Sequence, residues 1–219
     1  MSGAASQSPA AWIALLLPER VDESLRLPTD ALLTYQRVRW RDGGPPAEGC
    51  ELQARAVWSR TTGDTTEVGL RSEATCADIA LADALLVVRH AGGRADLGQG
   101  RVPDVPAVKG AIKADGFIIS ERETREFVAA VDGWYPATTN MGDARQRGFA
   151  NIIVPGPLLL ATAFRRELLQ RGGCVECWFR ETVPAGSMVT RWRAGDDLSE
   201  LWLPGRSRAA AVCRWAQGH

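Results

Sequence analysis

The sequence predicts an α+β protein in which an antiparallel sheet curls around one apolar helix, and three observations lead there. Segments that alternate between apolar and polar residues recur along both halves of the chain. One later stretch, 157–170, is apolar nearly all round at Leu158, Leu159, Leu160, Ala161, Ala163 and Phe164. Such a helix must be covered on every side, and a sheet is the element able to wrap it. A weak internal repeat then suggests that the sheet is built twice. An arginine-bearing strand, a Pro-containing connection, a Gly and a second strand occur at 39–49 and again at 180–186. Both copies read as hairpins.

Bulk composition narrows the function. The chain has 219 residues with 45% hydrophobic content, enough for one large or two small cores. Its 26 acidic and 26 basic residues balance. A nucleic-acid or membrane-surface protein would show a one-sided basic excess, so neither partner is expected. Residues 1–10 are small and polar without a basic leader, and the apolar run 10–17 is too short to span a bilayer. A soluble, cytoplasmic protein is expected. Of the five cysteines, Cys174 and Cys177 form a C-x-x-C pair, but no second pair or nearby histidine completes a metal site. The alternation of Cys174, Glu176 and Trp178 against Val175, Cys177 and Phe179 reads as a strand instead. No metal and no cofactor are expected. The two histidines are His90 and the C-terminal His219, so a histidine base has one internal candidate.

In the first half, Ser8-Pro9 opens a short helix through Trp12 to Leu17. Strands are expected at 32–41, 51–60, 67–76 and 80–89, with Thr61-Thr62-Gly63-Asp64 as a turn. A stretch rich in Gly, Pro and charge, 92–114, separates the halves. The chain thus divides into a unit at 1–95, a linker at 96–114 and a unit at 115–219. The second half begins with a strand at 116–120. Ser120-Glu121-Arg122-Glu123 then forms a capping box into a helix at 121–131. A turn-rich loop at 132–142 and a helical turn near 143–146 precede the long helix, which Pro157 starts and Gly172-Gly173 ends. Strands at 174–181, 187–194, 198–203 and 207–216 close the half.

The segment 143–169 is the most specific. A Gly148-Phe149 turn leads to Ile152, Ile153 and Val154, then Pro155-Gly156-Pro157, then the apolar helix. This order resembles the entry to the central helix of the MaoC-like, double-hotdog acyl-thioester hydratases and dehydratases. The resemblance implies a double hotdog: two hotdog units side by side, the first with a shortened helix. Those proteins carry Asp-x-Asn-Pro-x-His, then Ala, Gly-Phe and a His-Gly pair at the helix. Anchored on Ala144, Gly148, Phe149 and Gly156, the pattern places its proline on Pro136. Its Asp then falls on Gly133, its Asn on Tyr135 and its catalytic His on Thr138, while Pro155 replaces the second His. The frame is kept and the Asp/His dyad is not. The resemblance makes the Gly156 N–H an oxyanion donor at the positive end of the helix.

The pocket so framed admits three readings. In the first, the protein is a hydro-lyase on a β-hydroxyacyl or enoyl thioester, with Asp132, one residue from the motif Asp, as the carboxylate. Tyr135, Thr138 and Asn140 would orient water or hydroxyl. In the second, the pocket serves cyclisation, Michael-type addition or double-bond migration of a polyketide-like intermediate. In the third, the chain is a non-catalytic acyl-binding protein or the partner of a heteromeric dehydratase. Trp134, Phe149, Pro155 and Phe164 would line the acyl site. Arg145 and Arg147 flank its mouth and suit the phosphate of an acyl carrier protein or of coenzyme A. A monomer or homodimer fits each reading. His90 reads as a strand end, with access to the site undecided.

Overall fold

The computed structural model describes residues 30–41, 50–76, 79–92, 100–130, 136–165, 168 and 172–217. The expected helix around Trp12 lies outside them, as do Asp132, Gly133, Trp134 and Tyr135. Four strands form the first half: β1 Leu32–Trp40, β2 Glu51–Thr62, β3 Thr65–Cys76 and β4 Ile79–Ala91. All four were legible from alternation. The β2–β3 turn is tighter than expected, because Thr62 pairs with Thr65 and only Gly63-Asp64 bridge them. Gly63 sits at φ +59°, a conformation the two-residue loop requires and glycine accepts without strain.

In the second half, β5 Ile112–Ile118 begins inside the expected linker. The helices α1 Glu121–Ala130, α2 Met141–Gln146 and α3 Gly156–Ala163 follow, with a short 3₁₀ turn at Pro136–Thr138. Strands β6 Gly173–Phe179, β7 Met188–Ala194, β8 Leu198–Trp202 and β9 Ala211–Gln217 complete it. The capping box of α1 is formed as expected. Ser120 Oγ accepts from Glu123 N at 3.1 Å, and the Glu123 carboxylate accepts from Ser120 N at 2.8 Å and from its hydroxyl at 2.6 Å. Those bonds, the hydroxyl first, hold the Glu123 carboxyl below its ordinary pKa.

The apolar helix is shorter than the sequence suggested. It closes at Ala163, with Phe164 as C-cap at φ −117°, ψ 27°, instead of running to residue 170. A distant side chain accounts for this. Arg191, buried on β7, donates through Nη1 to the Ala163 carbonyl and lies over the Phe164 ring at 5.3 Å. The guanidinium satisfies a carbonyl that a continuing helix would have bonded, and its charge suits the negative helix end.

Among the described residues the strands form one sheet, in the order β2-β3-β4-β1-β6-β9-β8-β7-β5. This corrects the two expected hairpins. β1 pairs with β4 and β6 and not with β2; β6 pairs with β1 and β9 and not with β7. Each Pro-containing connection therefore crosses over its sheet rather than turning back. The repeat itself is real at the level of topology. In each half the first strand pairs with the last, and the two first strands, β1 and β6, meet antiparallel at the centre. Tyr35 pairs with Trp178 there and Trp40 with Gly173.

One face of this sheet packs on α3. Leu158, Leu159, Leu160 and Ala161 are buried with Val38, Ala84 and Leu86 of the first half and Val175, Leu201 and Cys213 of the second. The opposite face holds a smaller cluster of Tyr35, Trp58, Val87 and Trp178. The linker crosses it. Val102 packs on this cluster, the Trp58 ring abuts Gly100, and Trp178 Nε1 donates to Pro103 O at 2.8 Å. No helix among the described residues is long and apolar enough to cross a membrane.

Replacing Arg191 by Met strips the cap from α3 and leaves the Ala163 carbonyl unmet. We expect a stability loss of about 1–3 kcal/mol in urea unfolding, since a buried acceptor that loses a charged donor is left unsatisfied. Unchanged stability would remove the capping role.

Candidate functional site

Three segments converge on the start of α3. Residues 151–154 run extended beside 183–185. Ala185 N donates to Ile152 O and Val154 N to Val183 O, both at 2.8 Å, and Asn151 Nδ2 reaches Ala185 O at 3.0 Å. Ile153 N donates at 3.0 Å to Ala137 O, which ties in the Pro136–Thr138 turn. The chain then enters α3 through Pro155, the N-cap, whose side chain offers no acceptor. Pro157 has no N–H to present. The Gly156 N–H is thus an uncapped donor at the positive end of the helix, and among the described residues no acceptor meets it. Such an end attracts an oxygen that carries or gains negative charge.

Gly156 is glycine for a reason of space. A Cβ here would lie 2.9 Å from Phe179 Cζ and closer still to Leu33 Cδ2. One of these side chains comes from β1 and the other from β6, so the helix start rests on the seam between the halves. Neither was predicted, because the argument from residues 127–165 does not look back to the first half. The signal was present in the alternation of the first strand.

The other predicted residues divide. Thr138 is buried, 3% exposed, in the turn bonded to Ile153. Pro155 is half-buried at the helix start. Phe149 is half-buried against the main core, and its N donates to Ala144 O at 3.0 Å, closing the loop after Gly148. Asn140 is exposed and is the N-cap of α2: Oδ1 accepts from Gly142 N at 2.7 Å and from Asp143 N at 3.4 Å. Arg145 is exposed on α2, and Arg147 is its half-buried C-cap. Phe164 stands apart, buried at the far end of α3, roughly 12 Å from Gly156 at 1.5 Å per helical residue.

His90 ends β4 opposite Thr66, with Nδ1 3.2 Å from Ala91 O. Two residues earlier, Val88 pairs with Leu33, the residue against Gly156. Alternation puts His90 on the same face as Val88 and Leu86. It therefore sits on the helix-bearing face, at the end of the sheet that receives the start of α3.

The cysteines do not form a second site. Cys174 and Cys177 are three apart on β6, so they point to opposite faces. Cys177 is fully buried opposite Cys213, with sulfurs 2.8 Å apart. Burial drives its thiol pKa well up. Burial, and then the Glu176 charge, raise that of Cys174 to about 11. Among the described residues no His, Cys, Asp and Glu cluster is arranged to hold a metal.

No family model matches the sequence, and no curated protein does. Solved structures do. HtdX of Mycobacterium tuberculosis is similar with a TM-score of 0.75 at 17% identity, over 98% of this chain and 89% of that one. A MaoC-like dehydratase of Phytophthora capsici is similar at 0.66 and 14%, over 88% and 71%. A conserved hypothetical protein of Mycobacterium tuberculosis with a double hotdog fold is similar at 0.59 and 15%, over 98% and 82%. The chain has the hotdog α+β fold, and its structural neighbours include the MaoC-like proteins that residues 143–169 resemble.

Replacing Gly156 by Ala forces Leu33 and Phe179 aside, and we expect a loss of about 1–3 kcal/mol in thermal or urea unfolding, the usual cost of overpacking. A second outcome concerns pH. The folded Cys174 pKa lies above the ordinary value of 9.0. Its contribution to stability is complete below about pH 9 and is lost as pH rises toward 11. Labelling of Cys174 by a thiol reagent at pH 8 should be slower in the folded chain than in urea; equal rates would contradict the burial argument.

Proposed function

We propose that the protein acts on an acyl thioester as a hydro-lyase, dehydrating a β-hydroxyacyl group or hydrating the enoyl product. The observation that carries this reading is the bare Gly156 N–H, at the start of a helix held on the concave face of a double-hotdog sheet. The likeness to MaoC-like dehydratases supports the reaction class. In the forward direction a base takes the proton on the carbon next to the thioester carbonyl. The electron pair forms the new double bond as the C–O bond at the β-carbon breaks. The departing hydroxyl takes up a proton and leaves as water. Negative charge gathers on the thioester oxygen in the transition state, and the Gly156 amide with the helix dipole is placed to receive it.

For the base, Asp132 is the first candidate, by its place beside the motif position. His90 is the second, favoured by its location on the helix-bearing face at the same end as Leu33. Buried Thr138 and Tyr135 would orient the hydroxyl. Asn140 is occupied as a helix cap and leaves this role. Trp134, Phe149 and Pro155 would border the acyl group, with Phe164 at its deep end. Arg145, exposed near the mouth, would meet the phosphate of a carrier-protein arm or of coenzyme A. The pathway would be fatty-acid-like or polyketide.

Incubation of the purified chain with β-hydroxyacyl and enoyl thioesters, read by mass spectrometry, should show loss or gain of one water. An isomer of unchanged mass would favour the repurposed pocket, and no change would favour a binding partner. Asp132→Asn and His90→Gln then separate the bases. The true base should lose turnover by about 10²–10⁴-fold, and a variant with unchanged turnover is not the base.

A further inference from the structure

The main-core face of β1 carries Leu33, Val38 and Trp40, and between them one polar residue, Gln36. Gln36 is 0% exposed. Its neighbours across the sheet are Leu86 on β4 and Cys177 on β6, both buried in the main core. Neither Oε1 nor Nε2 has a hydrogen-bond partner. A carboxamide buried this way is costly, because its donors and acceptor have been taken from water with nothing in exchange. The other buried polar residues on this part of the sheet, Ser59, Thr66 and Ser72, all have partners. Gln36 is the exception, and an apolar residue would fill its place at less cost.

The position explains the exception. The ladder slips between Leu33 and Tyr35, which makes Gln36 the next residue inward from Leu33 on that face. Leu33 abuts Gly156, and α3 lies over β1. Gln36 is therefore the first polar group met on passing from the Gly156 amide along the central strand toward the core. It belongs to the first half, whereas the amide belongs to the second.

Building on the thioester reading above, we propose that Gln36 selects the substrate: its carboxamide hydrogen-bonds the β-hydroxyl of an acyl group whose thioester oxygen lies at Gly156. A carboxamide presents donors and an acceptor together, which is what a hydroxyl requires, since a hydroxyl also does both. A site built to bond a hydroxyl rejects the analogue lacking it, because its own polar atoms then remain unpaired. The substrate class is thus an acyl thioester oxygenated at the β-carbon, in preference to a saturated chain of equal length.

The test is binding of two pantetheine amides of equal chain length, one 3-hydroxyacyl and one unsubstituted, to the wild-type chain and to Gln36→Leu and Gln36→Met. The wild type should favour the hydroxylated probe at least tenfold. Both variants should lose that preference through weaker binding of the hydroxylated probe, with the unsubstituted one bound as well or better. Both should melt at a higher temperature, since an orphan amide has gone. Retained preference in a folded variant overturns the proposal and leaves the thioester reading intact, as it would if Gln36 only held an interior water. A lower melting temperature in both variants also overturns it, since the amide would then be satisfied within the protein. If the wild type binds neither probe, the thioester reading itself fails and this proposal with it.

Discussion

The structure depends on the antiparallel ladder between β1 and β6. These strands lie far apart in the chain, yet their six paired positions, Tyr35–Trp178 through Trp40–Gly173, join two four-stranded patterns into a single sheet. Without that ladder each half would offer an open edge and a half-covered apolar face, which water and foreign strands would attack. With it, the concave face is continuous and long enough to hold α3. The ladder also places the seam directly beneath the start of the helix. Leu33 approaches Gly156 from one half and Phe179 from the other. The site is thus joint property of the two units, although the residues that announce it in sequence lie wholly in the second.

This division explains what could be read from the sequence. Period-two patterning located β1 to β4 and β6 to β9 within a few residues, because each strand has one face against a core and one toward solvent or linker. The capping box of α1 was legible because it is made of residues three apart. What failed was non-local. The Pro-containing connections after β1 and β6 look like hairpins from their residues alone, and only the pairing of β1 with β4 shows that they cross over. The end of α3 was misplaced because Arg191, on a later strand, completes it. In the site, Gly156 and its flanking prolines were visible from local order. Gln36, Leu33 and Phe179 were not, since a strand residue looks alike whether its face meets a core or a ligand. Asn140 was misjudged for a local reason: a short amide side chain before a turn bonds the backbone two residues on more readily than it serves chemistry.

The two faces of the sheet divide the polar work. On the outer face, Tyr35 donates its hydroxyl to Glu176 at 2.7 Å, and Arg214 Nε meets the other carboxylate oxygen at 2.9 Å while stacking over Trp178 at 5.7 Å. Burial, more than the nearby carboxylate, pushes the Tyr35 phenol far above its usual range. That phenol stays protonated and structural. The linker fastens over the same cluster through Pro103 and Val102. The outer face is therefore sealed by groups that satisfy one another. The concave face keeps a bare amide at Gly156 and a lone carboxamide at Gln36, and only there do polar groups await something from outside.

The position of β6 has a consequence for biogenesis. As the chain leaves the ribosome, β1 can find β4 once the first half is made, but its other edge has no mate until residues 173–179 emerge. For that interval a strand bearing Val38 and Trp40 presents unpaired backbone to the cell. Long-range pairings of this kind form late and expose nascent chains to self-association. Separately expressed halves should consequently behave as sticky, incomplete bodies, and a gene fusion that keeps both on one polypeptide shortens their search for each other.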